Sequence, residues 1–196
     1  MGQAPAAGEV FLHVRVLVGL VLGLALTRLL SGISGIVQHP RRRRLYPAHL
    51  AWVAVVLVMT IHFWWWEFGL ERVTTWRFEL FAFVLGYAFL HYLLASLLFP
   101  EWMDDYAGYE DYFLSRRVWF FGLLVAICVA DWVDTWIKGP AYLKALGPEY
   151  PVRLIVCGAL FVTAAWTANR RFHIALPLLF LVYLLSWIGR IYEILG

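Results

Sequence analysis

Six stretches of this chain stay apolar for close to the length of a membrane crossing, and that recurrence constrains the fold more than any single motif. A bilayer core of about 30 Å takes roughly 20 helical residues at 1.5 Å each. The stretches are Phe11 to Val37, His49 to Phe68, Phe78 to Phe99, Val118 to Ile137, Val152 to Ala168 and Ile174 to Leu195. Hydrocarbon offers backbone amides no water, so each stretch predicts a helix whose hydrogen bonds close internally. The expected fold is an all-α integral membrane protein, a bundle of about six transmembrane helices with short loops. Residues 1–196 are read as one polytopic membrane domain.

Composition agrees. The chain is 63% hydrophobic and 15% charged, with a mean hydropathy of +0.73, whereas soluble domains are about half apolar. The aromatic share of 18% suits rings that collect where hydrocarbon meets headgroups. The net charge of +3 does not point to nucleic acid, because the basic residues form short clusters between the apolar runs, where lipid headgroups meet them. Cys128 and Cys157 each sit inside an apolar run, so neither a disulfide framework nor a zinc pair is indicated. The first ten residues hold Glu9 and no Lys or Arg, which argues against a cleaved signal peptide. Ala6 stands where myristoylation would want Ser or Thr.

Orientation follows from Lys and Arg in the loops. Arg41 to Arg44, Arg116 with Arg117, and Arg170 with Arg171 put eight cations on one side. Arg72, Arg77, Lys138, Lys144 and Arg153 put five on the other. The denser side is expected to be cytoplasmic, with both termini outside, in a plasma or inner membrane. In the loop Pro100 to Arg117, Tyr106, Tyr109 and Phe113 recur at helical spacing, which predicts an interfacial helix near 101–116. The Pro- and Gly-rich segment from Gly139 to Pro151 is expected to be irregular. The short link Asn169 to His173 makes the last two spans an antiparallel hairpin. Six spans invite a three-plus-three repeat, but the halves share no convincing self-similarity.

Gly19, Gly23, Gly32 and Gly35 give the first run a small-residue face for close helix packing. Gly32-Ile33-Ser34-Gly35 resembles the Gly-x-Ser-Gly pattern of rhomboid proteases over four residues. That family places its His within the sixth span. Here the motif ends the first run and His173 precedes the sixth, so helix packing accounts better for these residues. His62 and His91 lie in adjacent runs, roughly 8 Å and 20 Å from the same interface, which disfavours a haem held between them. Lys138 and Lys144 lie outside the runs, so no retinal-type lysine is present in a span. No potassium filter, Walker loop or dinucleotide fingerprint occurs, and no cofactor is indicated.

Two polar clusters remain as transport or ion-binding candidates, since ionisable groups in spans are costly. Arg28 and His91 each lie about nine residues from the expected cytoplasmic end, roughly 14 Å deep, and can face each other. At the opposite end stand His62, Glu67, Asp131, Asp134 and Arg190, with Trp187 and Glu193 nearby in sequence. Asp131 and Asp134 share a helical face. They suit either an acidic mouth that concentrates cations or a belt in which Arg190 neutralises one of the acids. The favoured function is a small channel or transporter for a cation or proton. A non-catalytic subunit of a larger membrane complex is the alternative. A membrane enzyme ranks third, because no nucleophile with its base and no metal-ligand spacing emerges. The partners so implied are the lipid bilayer, a small ion, and a homo-oligomer or a larger complex.

Overall fold

The structure, a computed structural model, describes residues 7–39 and 44–195, with the side chains of 193–195 excepted. The readings made on Met1 to Ala6, on Arg41 to Arg43 and on Glu193 lie outside the described residues or side chains. Among the described residues the chain is helical throughout, without strands. Six helices are long and apolar enough to cross a membrane. They are α1 (Ala7–Gln38), α2 (Pro47–Trp66), α3 (Phe78–Ser96), α4 (Tyr109–Ile137), α6 (Glu149–Trp166) and α7 (Arg170–Leu195), and a short α5 (Pro140–Ala145) lies between α4 and α6.

Three local expectations change. The second span does not stop at Phe68: a 3₁₀ segment, Glu67–Arg72, prolongs α2. The residues from 101 to 108 form turns, and Tyr109 to Arg117 are the opening turns of α4, so no separate interfacial helix exists there. Apolar periodicity on an extended amphipathic first turn looks the same in sequence as a helix lying flat. The segment after α4 is ordered rather than irregular. Gly139 and Gly147 take positive φ values of 101° and 70°, which glycine adopts without a Cβ penalty, and Pro140 starts α5 at a position that needs no N–H.

Trp52 of α2 is the centre of the core. Its fully buried ring meets Phe120 and Phe121 of α4, Phe161 of α6 and Phe180 of α7 at centroid distances of 5.2, 5.5, 6.1 and 6.1 Å. α1 packs outside this group against α3 and α2. Gly32 of α1 lies under the ring of Phe99, in the turn after α3, where an added Cβ would fall 2.3 Å from that ring. Large apolar side chains such as Leu20, Leu24, Leu179 and Val182 are exposed, as suits surfaces solvated by lipid rather than water.

The two ends of the bundle differ. At one end His49 donates from Nε2 to the Leu98 carbonyl at 2.6 Å, Tyr112 donates to the Leu97 carbonyl at 2.8 Å, and Arg170 clasps Glu110. These bonds collect the loops α1–α2, α3–α4 and α6–α7. The other end holds the 3₁₀ segment, α5 and the acidic and aromatic residues of α2 and α4. The link between α6 and α7 is short, and Asn169 Oδ1 caps α7 by accepting from the Arg171 and Phe172 amides. The hairpin is nevertheless splayed: α6 packs on α4 and α7 packs on α2, and the backbones of α6 and α7 do not make the close approach of those pairs.

Candidate functional site

The sequence candidates divide among four places. Arg28 is half-exposed and points to Glu101, 3.4 Å away. His91 is buried elsewhere: its ring stacks on Phe63 at 4.3 Å and its Nδ1 donates to the Tyr87 carbonyl at 3.2 Å. Arg28 and His91 are therefore not brought together. Depth alone suggested the pair, and rotation about the helix axes separates it.

Glu67 and Asp134 do converge, but on the chain's own cation. Lys138 Nζ donates to Asp134 Oδ2 at 2.5 Å, to Glu67 Oε1 at 3.3 Å and to the Trp66 carbonyl at 3.1 Å. All three ammonium protons are thereby used. The ammonium also lies 5.1 Å from the Trp66 ring centroid and 5.6 Å from that of Tyr142. Burial pushes the Tyr142 phenol well above its ordinary range, with Asp134 adding to the effect, so it stays neutral. The sequence places Lys138 in the loop after the fourth span, outside the membrane; its side chain is wholly buried. The (i, i+4) pair Asp134 and Lys138 carried that information in sequence.

Asp131 is bonded to a different cation. Arg153, placed in a loop by sequence, lies in the first turns of α6 and donates to Asp131 Oδ2 at 3.0 Å, and both side chains are nearly buried. Arg190 neutralises neither aspartate. It makes a two-pronged contact with Glu149 at 2.6 and 2.7 Å. The two aspartates thus have separate partners, although their spacing suits one shared ion. Tyr150 supports both arms, donating to the Asp131 carbonyl at 2.9 Å while its oxygen lies 2.7 Å from Thr135 Oγ1.

The Asp131–Arg153 pair lines a cavity of about 70 Å³ between α2, α3, α4, α6 and α7, room for a few water-sized molecules. His62, His91, Cys128 and Cys157 line it too, among Met59, Phe63 and other apolar residues. The two histidines thus share one cavity, against the expected difference in depth. With α2 prolonged to Arg72, His62 lies about 18 Å from the end of its segment, close to the 20 Å of His91 along α3. Two buried nitrogens at this cavity, His62 Nε2 and Arg153 Nε, have no hydrogen-bond partner among the described residues. The guanidinium is otherwise held by rings, 4.6 Å from Trp187 and 5.2 Å from Tyr150. No group of three or more His, Cys, Asp or Glu among the described residues is arranged to hold a metal ion.

Ser34 of the rhomboid-like motif accepts from Gln38 at 3.0 Å, while His173 is buried at the start of α7 and donates to the Thr167 carbonyl at 2.9 Å. The motif's Gly32 receives the Phe99 ring, a packing role. The fold is a six-span helical membrane bundle, with an ion pair and two imidazoles at a cavity whose lining is otherwise mostly apolar. No family model matches the chain, nor does any curated protein or solved structure.

Proposed function

We propose that this protein carries a small ion, a proton or a small cation, across the bilayer, with Asp131 as the binding group of the central cavity. One observation carries the reading: a carboxylate–guanidinium pair and two imidazoles from four different helices open onto a single chamber inside a membrane bundle. Ionisable groups at that depth are costly to keep unless they are used. A proton or cation arriving at Asp131 displaces Arg153, whose guanidinium is retained by the Trp187 and Tyr150 rings. His91 donates from Nδ1, which leaves Nε2 as the acceptor nitrogen, and His62 Nε2 is unpaired. Both rings are suited to relay a proton.

Flux of protons and of sodium or potassium into liposomes containing the purified protein tests this reading. The double substitution Asp131→Asn with Arg153→Gln removes the charge without stranding either partner. It should lower the flux by at least about tenfold, the factor carried by 1.4 kcal/mol of lost site affinity. Lys144→Gln, on an exposed side chain, should leave it unchanged. A folded double mutant with full flux, or wild-type protein with none, overturns the proposal.

A second reading, a subunit of a larger membrane complex, is favoured by α1. An added Cβ at Gly23 or Gly35 meets nothing within 4 Å. Such open small-residue positions let another helix approach.

A further inference from the structure

The splayed hairpin leaves a slot between α6 and α7 of about 440 Å³. Its walls are apolar, with Val152, Val156 and Leu160 on one side and Ala175, Leu176 and Leu179 on the other. It is closed at both ends. At one end the short link holds the helices together, with His173 bonded to the Thr167 carbonyl. At the other Glu149 of α6 accepts from Tyr183 at 3.0 Å and from Arg190 at 2.6 and 2.7 Å, both on α7. Between these clasps the slot's floor is formed by the Phe161 and Phe180 rings, 5.4 Å apart and backed by Trp52.

We propose that this slot holds one acyl chain of a membrane phospholipid with an amine-bearing zwitterionic headgroup. The slot opens outward between two spanning helices, where the surrounding medium is lipid. Its polarity runs one way, as a phospholipid's does. Glu149, Arg153 and Tyr183 stand at one end, and Phe172, Ala175 and Leu176 at the other. Glu149 and Arg190, bonded to each other and both half-exposed, present a carboxylate toward the headgroup amine and a guanidinium toward its phosphate. A transmembrane helix does not fit: with side chains it is about 10–12 Å across, and the slot narrows to the link between α6 and α7 at Phe172. A flexible chain fits such a wedge. Arg153, Cys157, Phe161 and Phe180 line both the slot and the cavity, so these four side chains stand between the bound chain and the cavity. This assignment is independent of which ion, if any, the cavity passes.

Photocrosslinking and native mass spectrometry test it. The full chain is placed in nanodiscs containing phosphatidylethanolamine with a diazirine in one acyl chain. Adducts should concentrate on Val156, Leu160 and Leu179, and one phosphatidylethanolamine should survive detergent exchange and be seen on the intact protein. Ala175→Trp fills the slot from an exposed position. Filling the slot should remove the retained phosphatidylethanolamine from the native mass spectrum and the adducts from Val156, Leu160 and Leu179, with labelling of the exposed face of α1 unchanged. Val156→Trp, also at an exposed site, serves if the first variant does not fold. Glu149→Gln with Arg190→Gln should abolish the preference for phosphatidylethanolamine over phosphatidylglycerol. Labelling of Leu12 to Leu24 as strong as that of the slot, no retained lipid, or protein–protein crosslinks across the slot would each overturn the proposal.

Discussion

Lys138 is the residue on which the α2–α4 end of the bundle depends. Its ammonium is the one cation paired with both Glu67 and Asp134 among the described residues, and the second oxygens of those acids, Glu67 Oε2 and Asp134 Oδ1, are buried. Removing it leaves two buried carboxylates facing each other, a loss of about 3–5 kcal/mol for a buried pair. Lys138→Met should therefore lower the thermal midpoint in detergent sharply. Adding Glu67→Gln and Asp134→Asn should restore most of the loss, because neutral amides need no counter-charge. An unaltered midpoint for Lys138→Met alone would mean that the ammonium does not hold this end together. The triad accounts for Glu67 and Asp134 of the acidic mouth read from sequence, whereas its third acid, Asp131, is paired with Arg153. Sequence spacing brought the acids to one level, and the (i, i+4) placement of Lys138 after Asp134 was the one sign of the cation that meets them.

At the scale of single helices, α1 offers a sharp contrast between glycines that the sequence presents alike. Gly32 lies under the Phe99 ring, so Gly32→Ala drives a Cβ into ring carbons 2.3 to 2.4 Å away. Overpacking of that kind costs about 1–3 kcal/mol. Gly23→Ala and Gly35→Ala meet nothing within 4 Å, and should stay within about ±0.5 kcal/mol, as substitutions away from such features do. Chemical unfolding in mixed micelles checks all three, and a Gly32→Ala protein as stable as the parent would discount the Phe99 contact. The six spans were legible because hydrophobic length is nearly sufficient in lipid, and their observed bounds differ from those expected mostly by a few residues. Helix rotation was not legible. Every span is apolar around most of its circumference, so the pattern does not say which face meets a neighbour. That ambiguity joined Arg28 to His91 and assigned Arg190 to the aspartates. The continuation of α2 as a 3₁₀ segment was hidden for a different reason: Glu67, Glu71 and Arg72 look like a loop, and the ion pair with Lys138 is what keeps Glu67 inside.

For the whole molecule, the structure sharpens the electrostatic argument for orientation. Two of the five cations counted against the Arg-rich end, Lys138 and Arg153, are engaged in buried pairs with Asp134 and Asp131. Paired and buried charges do not act on headgroups or resist translocation as free loop cations do, which leaves Arg72, Arg77 and Lys144 at that end. The opposite end keeps Arg44, Arg116, Arg117, Arg170 and Arg171, with Arg41 to Arg43 beside them in sequence. Of these, Arg170 is bound to Glu110, but both side chains are at the surface and their attraction is screened. The positive-inside tendency therefore favours the Arg-rich end in the cytoplasm more strongly than the raw count of eight against five. Single cysteines at Arg77, Lys144 and Arg171, all exposed, give the measurement once Cys128 and Cys157 are replaced by serine. A membrane-impermeant maleimide should label Arg77→Cys and Lys144→Cys on intact cells, and Arg171→Cys only after permeabilisation. The opposite pattern would reverse the orientation while keeping the bundle. Labelling of Lys144→Cys and Arg171→Cys from the same side would mean that α6 does not cross, and would remove with it the wall that carries Arg153 into the cavity.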